Sequence, residues 1–250
     1  MIGNEIAARA APDGYTLLVT NNALAISAGL YPKLNYDTRK NLQPVMEVLR
    51  APFVLVVPAT SGAKSTKDLI ALAKAKPGEI ALANTGIGSG PHLASVLLAQ
   101  MTGTSFNFIP YKGGGLATTD VLAGQVVMMF GGPSSLAQHV ASGRLRAIAV
   151  TGSRQIPALP RVPTFADAGL PAVDAGSYWG SLVPAATPRE ILARINADFN
   201  RVLAAADVQE RLLASGFEPL GGPPQKFADY LRAETRKWTK VVRDANIRIE

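Results

Sequence analysis

Cysteine is absent from the 250-residue sequence. Its absence excludes disulfides and thiolate metal sites, and it leaves the redox compartment open. Histidine is nearly absent: His92 and His139 stand alone, in no H-E-x-x-H or H-x-H pattern, so no metal site is expected. Long apolar runs are missing too. Phe53-Val54-Leu55-Val56-Val57 is strand-sized, far short of the roughly 20 residues of a membrane helix. The start, Met1-Ile2-Gly3-Asn4-Glu5, carries neither a basic nor an apolar stretch, so no signal peptide is visible. Nucleotide and hydrolase signatures are lacking as well. The Gly86–Pro91 loop has no last glycine of G-x-G-x-x-G, since His92 follows Pro91, and the next acid is as far off as Asp120. No Walker loop and no G-x-S-x-G elbow occurs; Ser89 in Gly88-Ser89-Gly90 has only a superficial likeness to one.

What the chain does contain is a globular composition. Apolar residues make up 48% and charged residues 17%. Twenty-three glycines and 18 prolines point to many tight strand-to-helix junctions. The net charge is +7, but the basic residues are spread along the chain rather than clustered with aromatics. That distribution suits attraction of small anions, and nucleic acid is not expected as a partner.

Short apolar strand-like runs alternate with helix-like runs. The strands read at 15–19, 53–57, 80–83, 106–109, 126–130, 147–150 and 178–183, and their lack of alternation is that of strands covered on both faces. Ser65-Thr66-Lys67-Asp68 and Thr187-Pro188-Arg189-Glu190 open helices with capping-box-like patterns. Further helices run from Pro91 to Gln100, from about Asp207 to Ser215, and from Pro223-Pro224 through Trp238, which reads as core. From 187 onward the chain is almost all helix, and apolar helix faces need a sheet to cover. The expected organisation is therefore a discontinuous lobe, 1–50 plus 176–250, around a continuous lobe, 51–175. Crossing strands at about 53–57 and 178–183 would form a hinge. The first lobe starts inside an α/β unit, so it reads as lacking its first strand or strands.

Open α/β sheets bind ligands beyond the C-terminal ends of their strands. Four such junctions are rich in glycine and small polar residues: Thr20-Asn21-Asn22, Thr85 to His92, Tyr111 to Gly115, and Gly131 to Ser135. Helix N-termini there offer amide N–H groups and partial positive charge to an anion. The candidate ligand-binding residues are Asn21, Asn22, Thr85, Gly88, Ser89, His92, Lys112, Gly131, Ser134 and Tyr178. The carboxylate is expected on the amides of the 88–92 turn. Several of these have plain structural readings beside the functional one: His92 as a cap, Lys112 as a solvated loop residue, Ser134 as a helix cap. Tyr178 and Trp179 either wall the cleft or pack into the first lobe. No catalytic residue and no cofactor is assigned.

Several segments resemble the Bug-type receptors of the tripartite tricarboxylate transporter family. They are Ala8-Arg9-Ala10-Ala11-Pro12-Asp13-Gly14-Tyr15-Thr16-Leu17-Leu18, Leu30 to Asp37, the Gly88-Ser89 and His92 loop, Pro110-Tyr111-Lys112-Gly113, Leu122 to Val126, Leu145 to Thr151, Val162 to Pro171 and Pro184 to Pro188. The resemblance implies an α/β fold of two Rossmann-like lobes joined by two crossing strands, the type II periplasmic binding protein, with the first lobe N-terminally truncated. It implies a periplasmic, non-catalytic receptor that closes on a small organic anion, a carboxylate, amino acid or aromatic acid, and delivers it to a membrane permease. The protein would be a monomer, or a dimer if another chain completes the truncated lobe. The family commonly has Asp where this chain has Val127, and often Asp where it has Gly131. Loss of an acid at 131 favours an anion without an amino group. The alternatives are a sensor receptor that signals to a partner, and an enzyme on the same fold, for which Asp120 would have to face Lys112.

Overall fold

The computed structural model describes residues 2–31 and 33–248. In chain order the elements are α1 (Ile2–Arg9), β1 (Leu18–Asn21), α2 (Ala23–Leu30), β2 (Leu42–Pro52), β3 (Val54–Pro58), α3 (Thr66–Ala75), β4 (Ala81–Asn84) and α4 (Gly90–Thr102). They continue with β5 (Asn107–Pro110), α5 (Gly114–Leu122), β6 (Met128–Gly131), α6 (Pro133–Ala141), β7 (Leu145–Val150) and β8 (Gly176–Pro184). The last four are α7 (Arg189–Leu203), α8 (Ala206–Ala214), β9 (Glu218–Pro219) and α9 (Pro224–Asp244). No helix among the described residues is long and apolar enough to cross a membrane. The chain divides into two compact units, one holding residues up to Arg50 and from Ser177 onward, the other Ala51–Gly176.

The first unit is built on a sheet of order β1-β8-β2-β9. β1 runs antiparallel to β8, with Leu18 opposite Leu182 and Thr20 opposite Gly180. Helices α2 and α9 pack together, and a Cβ added at Gly29 would lie 2.8 Å from the Thr239 Cα, so glycine lets the two backbones approach. The amphipathic stripe of α9, Phe227, Leu231, Trp238, Val241 and Val242, is buried. Phe227 presses so closely on β8 that a Cβ at Gly180 would sit 2.0 Å from its Cζ. On a separate cluster, Val45 and Val183 of the strands meet Leu192 and Ile195 of α7. Sheet and helices thus bury each other's apolar faces.

The second unit holds a five-stranded sheet of order β5-β4-β6-β3-β7. β4 is parallel to both β5 and β6, whereas β3 is antiparallel to β6 and β7. α5 and α6 bury Ala117, Val121 and Leu136 against Val54, Val56, Ala83 and Met129. α4 packs on β4 and β6. The α3 start is held by Ser65, whose Oγ accepts from the Asp68 N–H at 3.2 Å, while the Asp68 carboxylate accepts from the Lys64 N–H at 2.9 Å.

Residues 53–57, expected to cross between lobes, are an interior strand of the second unit instead. Every residue of β3 is buried and both its edges are paired. The chain passes from one unit to the other at Arg50/Ala51, near the end of β2, and returns at Gly176/Ser177, near the start of β8. Residues 178–183 lie beyond that point, within the first unit.

Candidate functional site

Parallel registers bring three strand ends of the second unit to one end of its sheet: Asn84 of β4 lies opposite Pro110 of β5, and β6, in register with β4, ends at Gly131. Each strand leads directly into a helix, α4, α5 or α6. The three junctions named in the sequence therefore share one sheet end. The fourth, Asn21-Asn22, belongs to the first unit.

The Thr85–His92 turn is held by its own side chains. Asn84, 1% exposed, accepts from the Gly86 N–H through Oδ1 at 3.1 Å, and its carbonyl accepts from the Tyr111 N–H at 2.9 Å. Ser89 caps α4, accepting from the His92 N–H at 3.3 Å and from the Thr85 hydroxyl at 3.0 Å. The Gly88 N–H donates to His92 Nδ1 at 3.0 Å, which puts the neutral ring's proton on Nε2. His92 is buried with its ring edge-on to Phe108, and burial holds its pKa below the ordinary 6.5. The Ser89 N–H returns to the Gly86 carbonyl at 3.1 Å, and Pro91 has no N–H. The amides of Gly86, Gly88, Ser89 and His92 are thus already satisfied. Among the described residues the Ile87 and Gly90 amides of this turn meet no acceptor, so of the 88–92 amides on which sequence places the carboxylate, Gly90 alone is left unengaged. Gly88 and His92 hold the turn together through this mutual hydrogen bond.

The start of α5 is the opposite case. Its N-cap is Gly113, at φ +125°, a conformation glycine alone adopts readily, and no side chain caps the helix. Gly114, Gly115 and Leu116 follow, all exposed. Among the described residues no acceptor meets the amides of Gly113, Gly114, Gly115 or Leu116. A Cβ at Gly113 or Gly115 would have nothing within 4 Å, so the approach is open. The positive end of a nine-residue helix is left bare. Thr85 sits beside it: a Cβ at Gly114 would be 3.8 Å from Thr85 Cγ2. Lys112, exposed, directly precedes it, and Ile87 and Leu116 supply exposed apolar surface at the same sheet end. Sequence reading named this junction but chose only Lys112. The stronger signal was a glycine run after a strand with no Ser, Thr, Asp or Asn to cap the helix.

At the third junction Gly131 is buried, and a Cβ there would lie 2.7 Å from Leu136 Cδ1. Its smallness lets α6 fold back on β6, a packing role. Ser134 is exposed in the first turn of α6, whose N-cap Gly132 offers no side-chain cap. In the first unit, Asn21 Oδ1 accepts from the Ala23 N–H at 3.0 Å and shapes the start of α2. Asn22 is buried, and its carbonyl accepts from the Ile26 N–H at 3.0 Å. Tyr178 is wholly buried, with ring centroids of Phe227 and Tyr230 at 5.8 and 5.3 Å. It has no surface to offer a ligand: of its two readings, packing into the first lobe is the one realised.

A family model described as "Tripartite tricarboxylate transporter family receptor" matches residues 1–247. A curated Pseudomonas sp. (strain P51) protein, the UPF0065 protein in the tcbD-tcbE intergenic region, is 37% identical over 243 residues, 97% of this chain and 72% of the relative. The solved structure of R. palustris Rpa4515 with adipate superposes with a TM-score of 0.89 at 29% identity, covering 99% of this chain and 83% of that one. MatC (Rpa3494) from Rhodopseudomonas palustris with bound malate gives 0.83 at 28% identity, covering 96% and 83%.

Proposed function

We propose a function from one premise: the chain belongs to the tripartite tricarboxylate transporter family of receptors. It is a periplasmic solute receptor that reversibly captures a small organic carboxylate and hands it to a membrane permease, making and breaking no covalent bond. The observation that carries this reading is the uncapped start of α5, where the amides of Gly113 to Leu116 meet no acceptor among the described residues. A carboxylate placed there accepts charge-assisted hydrogen bonds from rigid donors and lies at the favourable end of the helix dipole. Thr85 lies beside that seat and bonds to Ser89, Lys112 directly precedes it, Ser134 opens α6 at the same sheet end, and Ile87 and Leu116 would give a carbon skeleton apolar surface to lie on. The unit carrying Asn21 and Asn22 would close on the seated ligand, driven by the ligand's higher affinity for the closed state. Relatives of the same fold hold adipate and malate, which supports a carboxylate as the ligand class.

An enzyme on this fold would need an acid and a base free to act together. The Asp120 carboxylate instead accepts from the Tyr111 hydroxyl at 2.7 Å, and hydrolytic or proton-transfer chemistry through an Asp120–Lys112 pair gains no support. A thermal-unfolding screen against mono- and dicarboxylates tests the receptor reading. A true ligand at about 100 times its Kd adds about 2.7 kcal/mol of stability and a clear rise in unfolding temperature. If adipate, malate and a broad set of other carboxylates all leave the temperature unchanged, the reading fails.

A further inference from the structure

The chain has two tryptophans, and their indole N–H groups are placed oppositely. Trp238 of α9 is wholly buried, and its Nε1–H donates to the Glu234 carboxylate at 2.7 Å. Trp179, the fourth residue of β8, is half-buried. Its ring stands perpendicular to that of Phe217, with centroids 5.3 Å apart, and its N–H meets no acceptor among the described residues. In the sequence Trp179 has the same two readings as Tyr178, but the structure parts them. Successive residues of a strand face opposite sides of the sheet. Tyr178 packs on Phe227 of α9, so Trp179 lies on the other face, the one on which Val183 meets α7.

The antiparallel register sets Trp179 directly opposite Asn21, the last residue of β1. Opposed residues of such a pair share a face, with Cβ atoms about 4.5–5.5 Å apart. Asn21 is half-buried too, and only one end of its amide is in use. Oδ1 accepts from the Ala23 N–H at 3.0 Å, which fixes that end as the oxygen, whereas Nδ2 meets no acceptor among the described residues. Two donors therefore stand side by side where β1 leads into α2. Indole has no acceptor to add to them, and the Asn21 oxygen is already engaged. Such a pair suits a carboxylate.

We propose that Trp179 and Asn21 are the first unit's ligand contacts, and that they take the second carboxylate of a dicarboxylate. The inference rests on the reading of the α5 start as the seat of the first carboxylate. A monocarboxylate of equal chain length would fill that seat and leave both first-unit donors unpaired. Covering an unpaired N–H costs its lost hydration, so the receptor favours the diacid. The discrimination comes from a missing hydrogen-bond partner rather than from size.

Calorimetric titration of adipate against hexanoate, and of succinate against butyrate, gives the ratio of diacid to monoacid affinity at matched chain length. The expected result is a preference of the parent for the diacid in at least one pair. That ratio should be about tenfold smaller in Trp179→Phe, which keeps a ring against Phe217 and lacks the N–H. Asn21→Asp keeps an oxygen for the Ala23 N–H and replaces the donor by a negative charge, and it should lower the ratio at least as much. A tryptophan that merely packs would weaken both acids of a pair together, so an unchanged ratio in Trp179→Phe overturns the proposal. Emission gives a second reading, because Trp238 is shielded in the core: a saturating diacid should shift the emission of the parent, and Trp179→Phe should abolish the shift. Should Trp179→Phe fail to fold, a parental emission unmoved by a diacid that calorimetry shows to bind overturns the proposal equally. If the parent binds diacids and monoacids alike, the receptor reading stands and this inference fails. If no carboxylate binds, the receptor reading fails and the inference falls with it.

Discussion

His92 accepts from the Gly88 N–H through Nδ1, and burial favours its neutral ring. A histidine whose folded pKa lies below its unfolded value keeps its full stability contribution above the unfolded pKa. That contribution is lost as pH falls from there through the folded pKa, because the unfolded chain binds the proton first. The unfolding midpoint of the parent should therefore decline as pH drops below about 6.5 relative to that of His92→Asn, measured by urea titration from pH 8 to pH 5. Asparagine keeps an acceptor near the Nδ1 position and does not titrate, so the two pH profiles should converge at pH 8. Parallel profiles would show that His92 does not titrate on unfolding. His92 was legible from sequence as either a cap or a ligand residue. The deciding facts, its burial against Phe108 and its bond to Gly88, belong to tertiary packing, which a single sequence does not display.

Elements were read more securely than their partners. The strand-like runs of the second unit lie within a few residues of β3 to β7, because short apolar runs bounded by turn residues are a strong signal. The direction of β3 was not legible: Phe53–Val57 reads as a buried strand, but nothing in it says that its neighbours run antiparallel. β2 was missed altogether. Glu47 and Arg50 break its apolar pattern, and they are tolerated because they pair with each other inside the unit. The start of α5 was undervalued for the same kind of reason, since a glycine run reads as a loop until the helix after it is seen. Two outcomes belong to this scale. Replacing Gly115 by Ala should raise stability by up to about 1 kcal/mol, because alanine is the better helix former and its Cβ meets nothing. The same variant should lose carboxylate affinity in titrations if the ligand comes close to that backbone, and unchanged affinity would move the seat elsewhere. Gly180→Ala should destabilise the first unit by about 2–3 kcal/mol in denaturant unfolding, since Phe227 must leave its site on β8. Adding Phe227→Leu should recover part of that loss.

Across the whole molecule, one idea connects composition to function. A sparsely charged, mildly basic chain with many glycines places three strand-to-helix junctions at one sheet end, and it leaves the α5 start without a cap. The junctions were visible in the sequence. Their division of labour was not, because it depends on which amides are already bonded. The most direct test is calorimetric titration of adipate, malate and related carboxylates into the parent protein and into Gly114→Pro. Proline suits the first position of a helix and removes one amide N–H, so the fold should be retained. The expected result is binding by the parent and affinity about tenfold weaker in Gly114→Pro, at an unchanged unfolding temperature, as loss of one hydrogen bond to a charged group implies. Equal affinity in the two proteins would contradict an α5 anion seat, and no heat from either with any carboxylate would contradict capture itself.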